Sequence, residues 1–397
     1  MNHRFYSLDI FRGATVALMI LVNNPGSWSH IYTPLEHAPW HGCTPTDLVF
    51  PFFLFAVGTA MAFTIPRLQV AGNAVFLQKV FKRALLIFGI GLLLNWSPFI
   101  RWDGDQLVVK TLGNVRVFGV LQRIAICYLF ASLLVYFLTP RQALWTSLLL
   151  LFVYWLLCLF LGRSPDPFSL EGFWGTHIDR AMLGNNHIYK GEGVPFDPEG
   201  LASSLAAIVQ VVAGYFAGRY IRQRGQGGEL PLNDKAREDL LYRMIAHLYL
   251  AGFALAAGGL SWGLVFPVNK KIWTSSYVLY TSGLAIMILC TVIYLVEIKK
   301  YQGWLARFFD VFGKNPLFIF VLSGFLPRLL GLLRVSAYLD EQGNKHYLAP
   351  FGWFYEHICS PLFTDPRNAS LLYAVCMIIF YWLIARWLDY KKIYIRV

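Results

Sequence analysis

Stretches of about twenty apolar residues recur along this chain, and at 1.5 Å per helical residue each is long enough to cross the roughly 30 Å hydrocarbon core of a bilayer. Ten can be read, near 8–23, 46–65, 81–96, 116–138, 141–161, 201–221, 244–265, 275–296, 314–333 and 369–388. Composition agrees: 57% of residues are hydrophobic, only 14% are charged, and mean hydropathy is +0.51. A water-soluble core cannot hide that much apolar surface. The expected fold class is all-α, a polytopic integral membrane protein of about ten transmembrane helices, with residues 1–397 forming a single transmembrane domain.

Lys and Arg placement sets the expected orientation, because basic residues concentrate on the cytoplasmic side. With both termini cytoplasmic, most of the 34 Lys and Arg fall inside. They include Arg67, Lys79, Lys82 and Arg83, then the 222–243 segment, then Lys299, Lys300, Arg307 and Lys314, and finally Arg386, Lys391, Lys392 and Arg396. The net charge of +12 is thereby explained without nucleic acid, which would require a basic stripe on a soluble fold. Met1-Asn-His-Arg4 precedes an apolar run with no small-residue cleavage site, so the first span reads as a signal anchor.

Polar residues then stand out by contrast. The outer connections are 24–45, 97–115, 162–200, 266–274 and 334–368, and three of them carry groups suited to chemistry. The first holds His37 and leads to Asp47. The third holds His187, Asp197 and Glu199. The fourth holds Asn269 and Lys270. Each also has a structural reading. His37 can cap a helix, Asp47 and Asp197-Pro-Glu199 can start one, and Lys270 can anchor at the interface. Clusters on three loops of one face, in a chain so poor in charge, favour a common site.

Within the bilayer, Gln122 and Arg123 stand about a turn into the fourth span from its outer side. A guanidinium there needs a cavity or a partner, for which Asp47 is a candidate. Asp9 and Arg12 lie three apart on one helix face. No Walker loop occurs, and the six cysteines have no metal spacing. Cys43 and Cys359 both fall outside the spans, where a disulfide is permitted.

Ser7-Leu-Asp-Ile-Phe-Arg-Gly13, Val22-Asn23 and His37-Ala-Pro-Trp-His-Gly-Cys-Thr-Pro-Thr-Asp-Leu-Val-Phe-Pro51 resemble the start of the heparan-α-glucosaminide N-acetyltransferase family. The resemblance continues through Gly119-Val-Leu-Gln-Arg123, Asn186-His-Ile-Tyr189, Phe196-Asp-Pro-Glu-Gly200 and Pro267-Val-Asn-Lys-Lys-Ile-Trp-Thr-Ser-Ser-Tyr277, and fades beyond Pro316. It implies a membrane acyltransferase that takes acetyl from cytoplasmic acetyl-CoA and passes it to a glucosamine-type amine on the far side. The histidine matched by His37 is catalytic in that family, and the asparagine matched by Asn23 lies near it. With Met1 almost directly before the first span, the chain resembles the bacterial members more, which implies the inner (cell) membrane.

The chemistry suits these residues. A glucosamine ammonium must lose a proton before its nitrogen can attack a thioester, and histidine titrates near neutrality. Asp47 would orient the imidazole, and Asn23 would donate to the developing oxyanion. His187, Asp197, Glu199, Asn269 and Lys270 are assigned to the amino-sugar or glycan acceptor. Gln122, Arg123, Lys79, Lys82 and Arg83 are assigned to acetyl-CoA as co-substrate, with no metal. An acetyl-histidine intermediate at His37 is the rival mechanism. The rival functions are an O-acetyltransferase of a cell-envelope polysaccharide and a sugar or ion transporter. The expected partners are acceptor, donor and lipid bilayer, and the reading admits a homodimer.

Overall fold

The structure, a computed structural model, describes residues 5–163, 165–225, 234–339 and 345–395; part of the basic 222–243 segment and Arg396 lie outside the described residues. Thirteen α-helices are formed among the described residues. They are α1 (Tyr6–Asn23), α2 (Val49–Ala71), α3 (Asn73–Trp96), α4 (Val120–Phe137), α5 (Pro140–Leu161), α6 (Gly175–Leu183) and α7 (Leu201–Gly225). There follow α8 (Asp234–Trp262), α9 (Ser275–Ile293), α10 (Trp304–Lys314), α11 (Pro316–Leu330), α12 (Pro350–Phe354) and α13 (Pro366–Tyr390). Two small antiparallel hairpins sit in the linkers. One pairs β1 (Ile100–Asp103) with β2 (Gln106–Val109), and the other pairs β3 (Ser336–Leu339) with β4 (Lys345–Leu348).

All ten expected spans fall on helices. Eight among the described residues are long and apolar enough to cross a membrane: α1, α2 with its leading turn, α4, α5, α7, α8, α9 and α13. α11 has 15 residues and reaches that length only together with α10, from which it is bent by 78°. The break has a local cause. Asn315 leaves helical geometry (φ −130°, ψ 48°), and Pro316, without an N–H, can only begin a new helix. α3 is 24 residues long but carries Lys79, Lys82 and Arg83 in its first half.

The linkers meet one another at one end of the bundle. Loop 24–48 touches loop 263–274 through His37 and Lys270, and Lys271 reaches Glu192 of loop 162–200. Val117 N–H donates to His187 O, and Trp102 Nε1 donates to Leu332 O. At the opposite end Glu297 accepts from Ser7, Tyr220 meets His247, and Asn315 holds Ile393 and Ile395. The described parts of both chain ends therefore share the face opposite the linker cluster. Cys43 and Cys359 are free thiols.

α7 is the most enclosed of the eight, whereas α5 and α8 leave most of their surface uncovered, as helices facing lipid do. α2 and α7 come together at glycines, the usual device where lipid supplies no hydrophobic drive between helices. A Cβ on Gly58 would lie 1.9 Å from the Val211 carbonyl oxygen, and one on Gly214 would lie 2.1 Å from that of Phe55. This contact positions the candidate site, because Asp47 sits at the head of α2 and Asp197 and Glu199 immediately precede α7. Gly214→Val should therefore drive the helices apart, at a cost of about 1–3 kcal/mol or more. Thermal unfolding of the detergent-purified protein should show a clear fall in melting temperature. Gly89→Val on α3, where a Cβ meets open space, should leave it unchanged.

Candidate active site

The chain enters α2 through a 3₁₀ turn, Pro45–Leu48, and Asp47 in that turn is 1% exposed. A carboxylate so enclosed needs every lone pair occupied. Ala38 N–H and Thr44 N–H donate to Oδ2 at 3.1 and 3.0 Å, and His37 Nδ1 lies 2.7 Å from Oδ1. The Thr44 hydroxyl donates to Glu36 O at 2.6 Å and lies 3.1 Å from Asp47 Oδ2. Tyr277 of α9 donates to the Asp47 backbone carbonyl at 2.5 Å and ties the turn to the bundle.

The short His37–Asp47 contact defines the tautomer. A carboxylate only accepts, so Nδ1 carries the hydrogen and Nε2 keeps a lone pair. The His37 side chain remains 44% exposed, so that lone pair is accessible. Lys270 completes the group. Its Nζ lies 3.0 Å from Nδ1, 3.4 Å from Nε2 and 3.4 Å from Asp47 Oδ1. The ammonium thus stands beside both ring nitrogens. Burial holds the Lys270 ammonium below its ordinary range, against the opposing pull of Asp47 and Glu199.

Asn269 builds the turn that presents Lys270. Its Oδ1 accepts from Ile272 N–H at 3.1 Å, its N–H donates to Thr274 Oγ1 at 3.0 Å, and its Nδ2 lies 3.4 Å from His41 Nδ1. Trp273 closes the turn at φ 52° and packs edge-on against Phe50 and Tyr277.

Sequence reading missed Arg116. Its guanidinium binds Asp197 through Nε at 3.0 Å and Nη2 at 2.6 Å, contacts Glu199, and stacks over Tyr189. Asp197 and Glu199 are thus already engaged by a cation, and their charges hold the Arg116 guanidinium above its usual range even though burial opposes them. His187 is also occupied, with Nδ1 2.7 Å from Val115 O. An arginine just before an apolar span was the available signal, but its acids lie 81 and 83 residues away.

Arg116 also lines a cavity of about 400 Å³ between α1, α3, α4 and α11, together with Asn23, Asn95 and Gln122. Gln122 is 1% exposed, and its Nε2 has no acceptor among the described residues. A second cavity, of about 170 Å³, lies in the same crevice toward the opposite face and is lined by Arg12, Arg83, Ile124 and Pro316. Leu121 and Phe320 belong to both walls and separate the two. Arg83 lies over the Tyr128 ring, and its Nε has no acceptor among the described residues. Lys79 and Lys82 are exposed on α3 and line neither cavity.

Arg123 takes a different place from the one expected. It is fully buried, donates to Gly200 O at 3.0 Å and to Ser203 Oγ, and lies over the Trp273 ring, rather than pairing with Asp47. It joins α4 to the start of α7. Asp179 of α6 supports the same junction by accepting from Leu201 N–H at 2.9 Å, and burial pushes its carboxyl up to about 6. Among the described residues no group of three His, Cys, Asp or Glu could hold a metal ion.

Sequence comparison bears on the residues just placed. The family model described as heparan-alpha-glucosaminide N-acetyltransferase, catalytic, matches residues 4–168, which include Asn23, His37, Asp47 and Gln122. The heparan-alpha-glucosaminide N-acetyltransferase of Homo sapiens is 29% identical over 374 residues, covering 80% of this chain and 52% of that protein. The protein of that name from Mus musculus is 26% identical over 405 residues, covering 87% of this chain and 57% of its own length. The chain thus spans about half the length of the curated relatives it matches. By these matches the chain is similar to heparan-alpha-glucosaminide N-acetyltransferases over most of its length.

Proposed function

We infer that this protein is a membrane acyltransferase that moves acetyl from cytoplasmic acetyl-CoA to the amine of a glucosamine-type sugar on the opposite side. The observation that carries the reading is the Asp47–His37 pair, which leaves an accessible Nε2 lone pair at the linker end of the bundle. Nε2 takes the proton released by the sugar amine, and Asp47 stabilises the imidazolium that forms. The nitrogen attacks the thioester carbonyl, the C–N bond forms, the C–S bond breaks, and coenzyme A leaves as the thiol after receiving a proton from Nε2.

The stacked cavities support the sidedness. The inner one offers Arg12 and Arg83 to the donor's phosphates, and the outer one offers the free Gln122 amide and Asn23 to carbonyl oxygens along the donor's arm and at the reacting thioester. Arg116 joins the outer cavity to Glu199, whose charge acts on Lys270. We place the linker face outside on the Lys and Arg distribution, with the multi-pass chain in a bacterial inner membrane and a homodimer admitted. A sugar transporter is the second reading, since it too would use a crevice entered from both faces. Incubating vesicles with acetyl-CoA and glucosamine separates the two: acetylated sugar supports the enzyme, and unmodified sugar carried across supports the transporter.

His37→Ala should fold and retain acetyl-CoA binding, while turnover with glucosamine falls by roughly 10²–10⁴-fold. Full turnover in that variant would remove the general base from the mechanism. Asp47→Asn keeps the size of the side chain but no longer enforces the Nδ1–H tautomer. It should lose a comparable factor in kcat, with a much smaller change in the KM for acetyl-CoA.

Orientation is tested by labelling after the six native cysteines are replaced. A membrane-impermeant maleimide added outside should modify Lys190→Cys and spare Lys79→Cys. The reverse pattern would turn the protein over in the membrane.

A further inference from the structure

α4 turns Leu121 and Ile124 toward the stacked cavities, and Phe130 and Leu134 toward a separate groove of about 500 Å³. Its other walls are α5, the start of α6 with Trp174 and Ile178, and the head of α7 from Leu201 to Ile208. Among the lining residues Thr146 and Ser204 alone carry a hydroxyl, and that of Ser204 is spent on Gly200 O at 2.9 Å. Such a wall offers a sugar or a nucleotide almost nothing to bond. At 1.5 Å per residue, Ile208 lies about 10 Å below the head of α7 and Leu134 about 21 Å below the head of α4. The groove thus descends from the linker end to about the depth of one leaflet of a roughly 30 Å core.

The linker end of the groove is cationic. His177 stands on α6 between the two groove residues Trp174 and Ile178, and its buried Nε2 has no partner among the described residues. Burial, and then the charges of Arg163 and Arg180, hold this imidazole below its ordinary range. Neither guanidinium is paired with an acid among the described residues. Arg180 donates to Pro195 O at 3.0 and 2.7 Å, and Arg163, just beyond α5, is exposed. The acids close by in sequence are engaged or face water. Asp166 accepts from Phe168 N–H at 2.9 Å, Asp179 accepts from Leu201 N–H, and Glu171 is exposed. An apolar slot of one-leaflet depth beneath uncompensated cations matches the two halves of a phospholipid, chain below and phosphate above.

We propose that this groove binds one phospholipid of the linker-side leaflet, with an acyl chain between α4, α5 and α7 and an anionic headgroup held by Arg163, His177 and Arg180. The lipid braces α6 against α7. Leu201 and Ala202, which line the groove, directly follow Gly200, whose carbonyl accepts from Arg123. The inference is independent of the acyltransferase reading, since it needs neither donor nor acceptor.

The test strips the detergent-purified protein of lipid and titrates it with phosphatidylglycerol or phosphatidylcholine. Native mass spectrometry reads the bound lipid, and thermal unfolding reads its effect. Wild type should retain one phosphatidylglycerol per chain, bind it about tenfold more tightly than phosphatidylcholine, and melt at a higher temperature once it is bound. Arg163→Gln should remove most of that preference. Thr146→Trp, which fills the deep end of the groove, should lose both lipids, and a lipid-free melting temperature equal to that of wild type shows that it is folded. Arg163→Gln, at an exposed position, carries the test if the tryptophan is not tolerated. Equal binding of the two lipids by wild type, or an unchanged preference in Arg163→Gln, would overturn the proposal. So would an equal thermal shift from glycerol 3-phosphate, since the cations would then bind phosphate without a chain.

Discussion

Asp47 is a carboxylate placed at the edge of a low-dielectric slab, and much of the linker face is arranged to satisfy it. An unpaired charge there would cost several kcal/mol, so the chain wraps it with two backbone amides, an imidazole and an ammonium. Each donor comes with a structural commitment. The Ala38 and Thr44 amides fold loop 37–47 back on itself, and Lys270 draws in loop 263–274 from 223 residues away. The Tyr277 hydroxyl on the Asp47 carbonyl anchors the same turn to α9. The imidazole that a general base requires is oriented by the same interactions that make the buried carboxylate tolerable. Stability and chemistry therefore share one knot of hydrogen bonds.

The helices were legible because the physics that forms them is local. An apolar stretch in lipid must satisfy its own backbone, and a helix is the one open-chain way to do so. His37 and Asp47 were legible for a related reason: ten residues separate them, and a titratable pair beside a span stands out in a chain this apolar. The break between α10 and α11 was harder to see. Pro316 near a helix start is compatible with a straight span, and only the geometry of Asn315 shows that the axis turns.

Long-range pairings were the least legible. Arg116 went unremarked at the start of the fourth expected span because nothing nearby in sequence announces Asp197 and Glu199. Arg123 was rightly singled out as a buried cation, yet its acceptors are a carbonyl and a hydroxyl on the α7 junction, groups that any sequence offers in abundance. Lys79, Lys82 and Arg83 looked equivalent on paper. Helical periodicity turns Arg83 into the crevice and leaves the two lysines outside.

The partition between the two crevice cavities has an electrical consequence. Where water enters a membrane protein from both ends, the transmembrane potential falls across whatever insulation remains, and with both cavities filled that insulation would be the residues their walls share, Leu121 and Phe320. A field ordinarily spread over the thickness of a bilayer is then compressed into the width of two side chains. One elementary charge carried through the full potential exchanges about 2.3 kcal/mol per 100 mV. Any step that displaces charge across this thin septum would therefore couple the energised state of the membrane to the rate of the reaction.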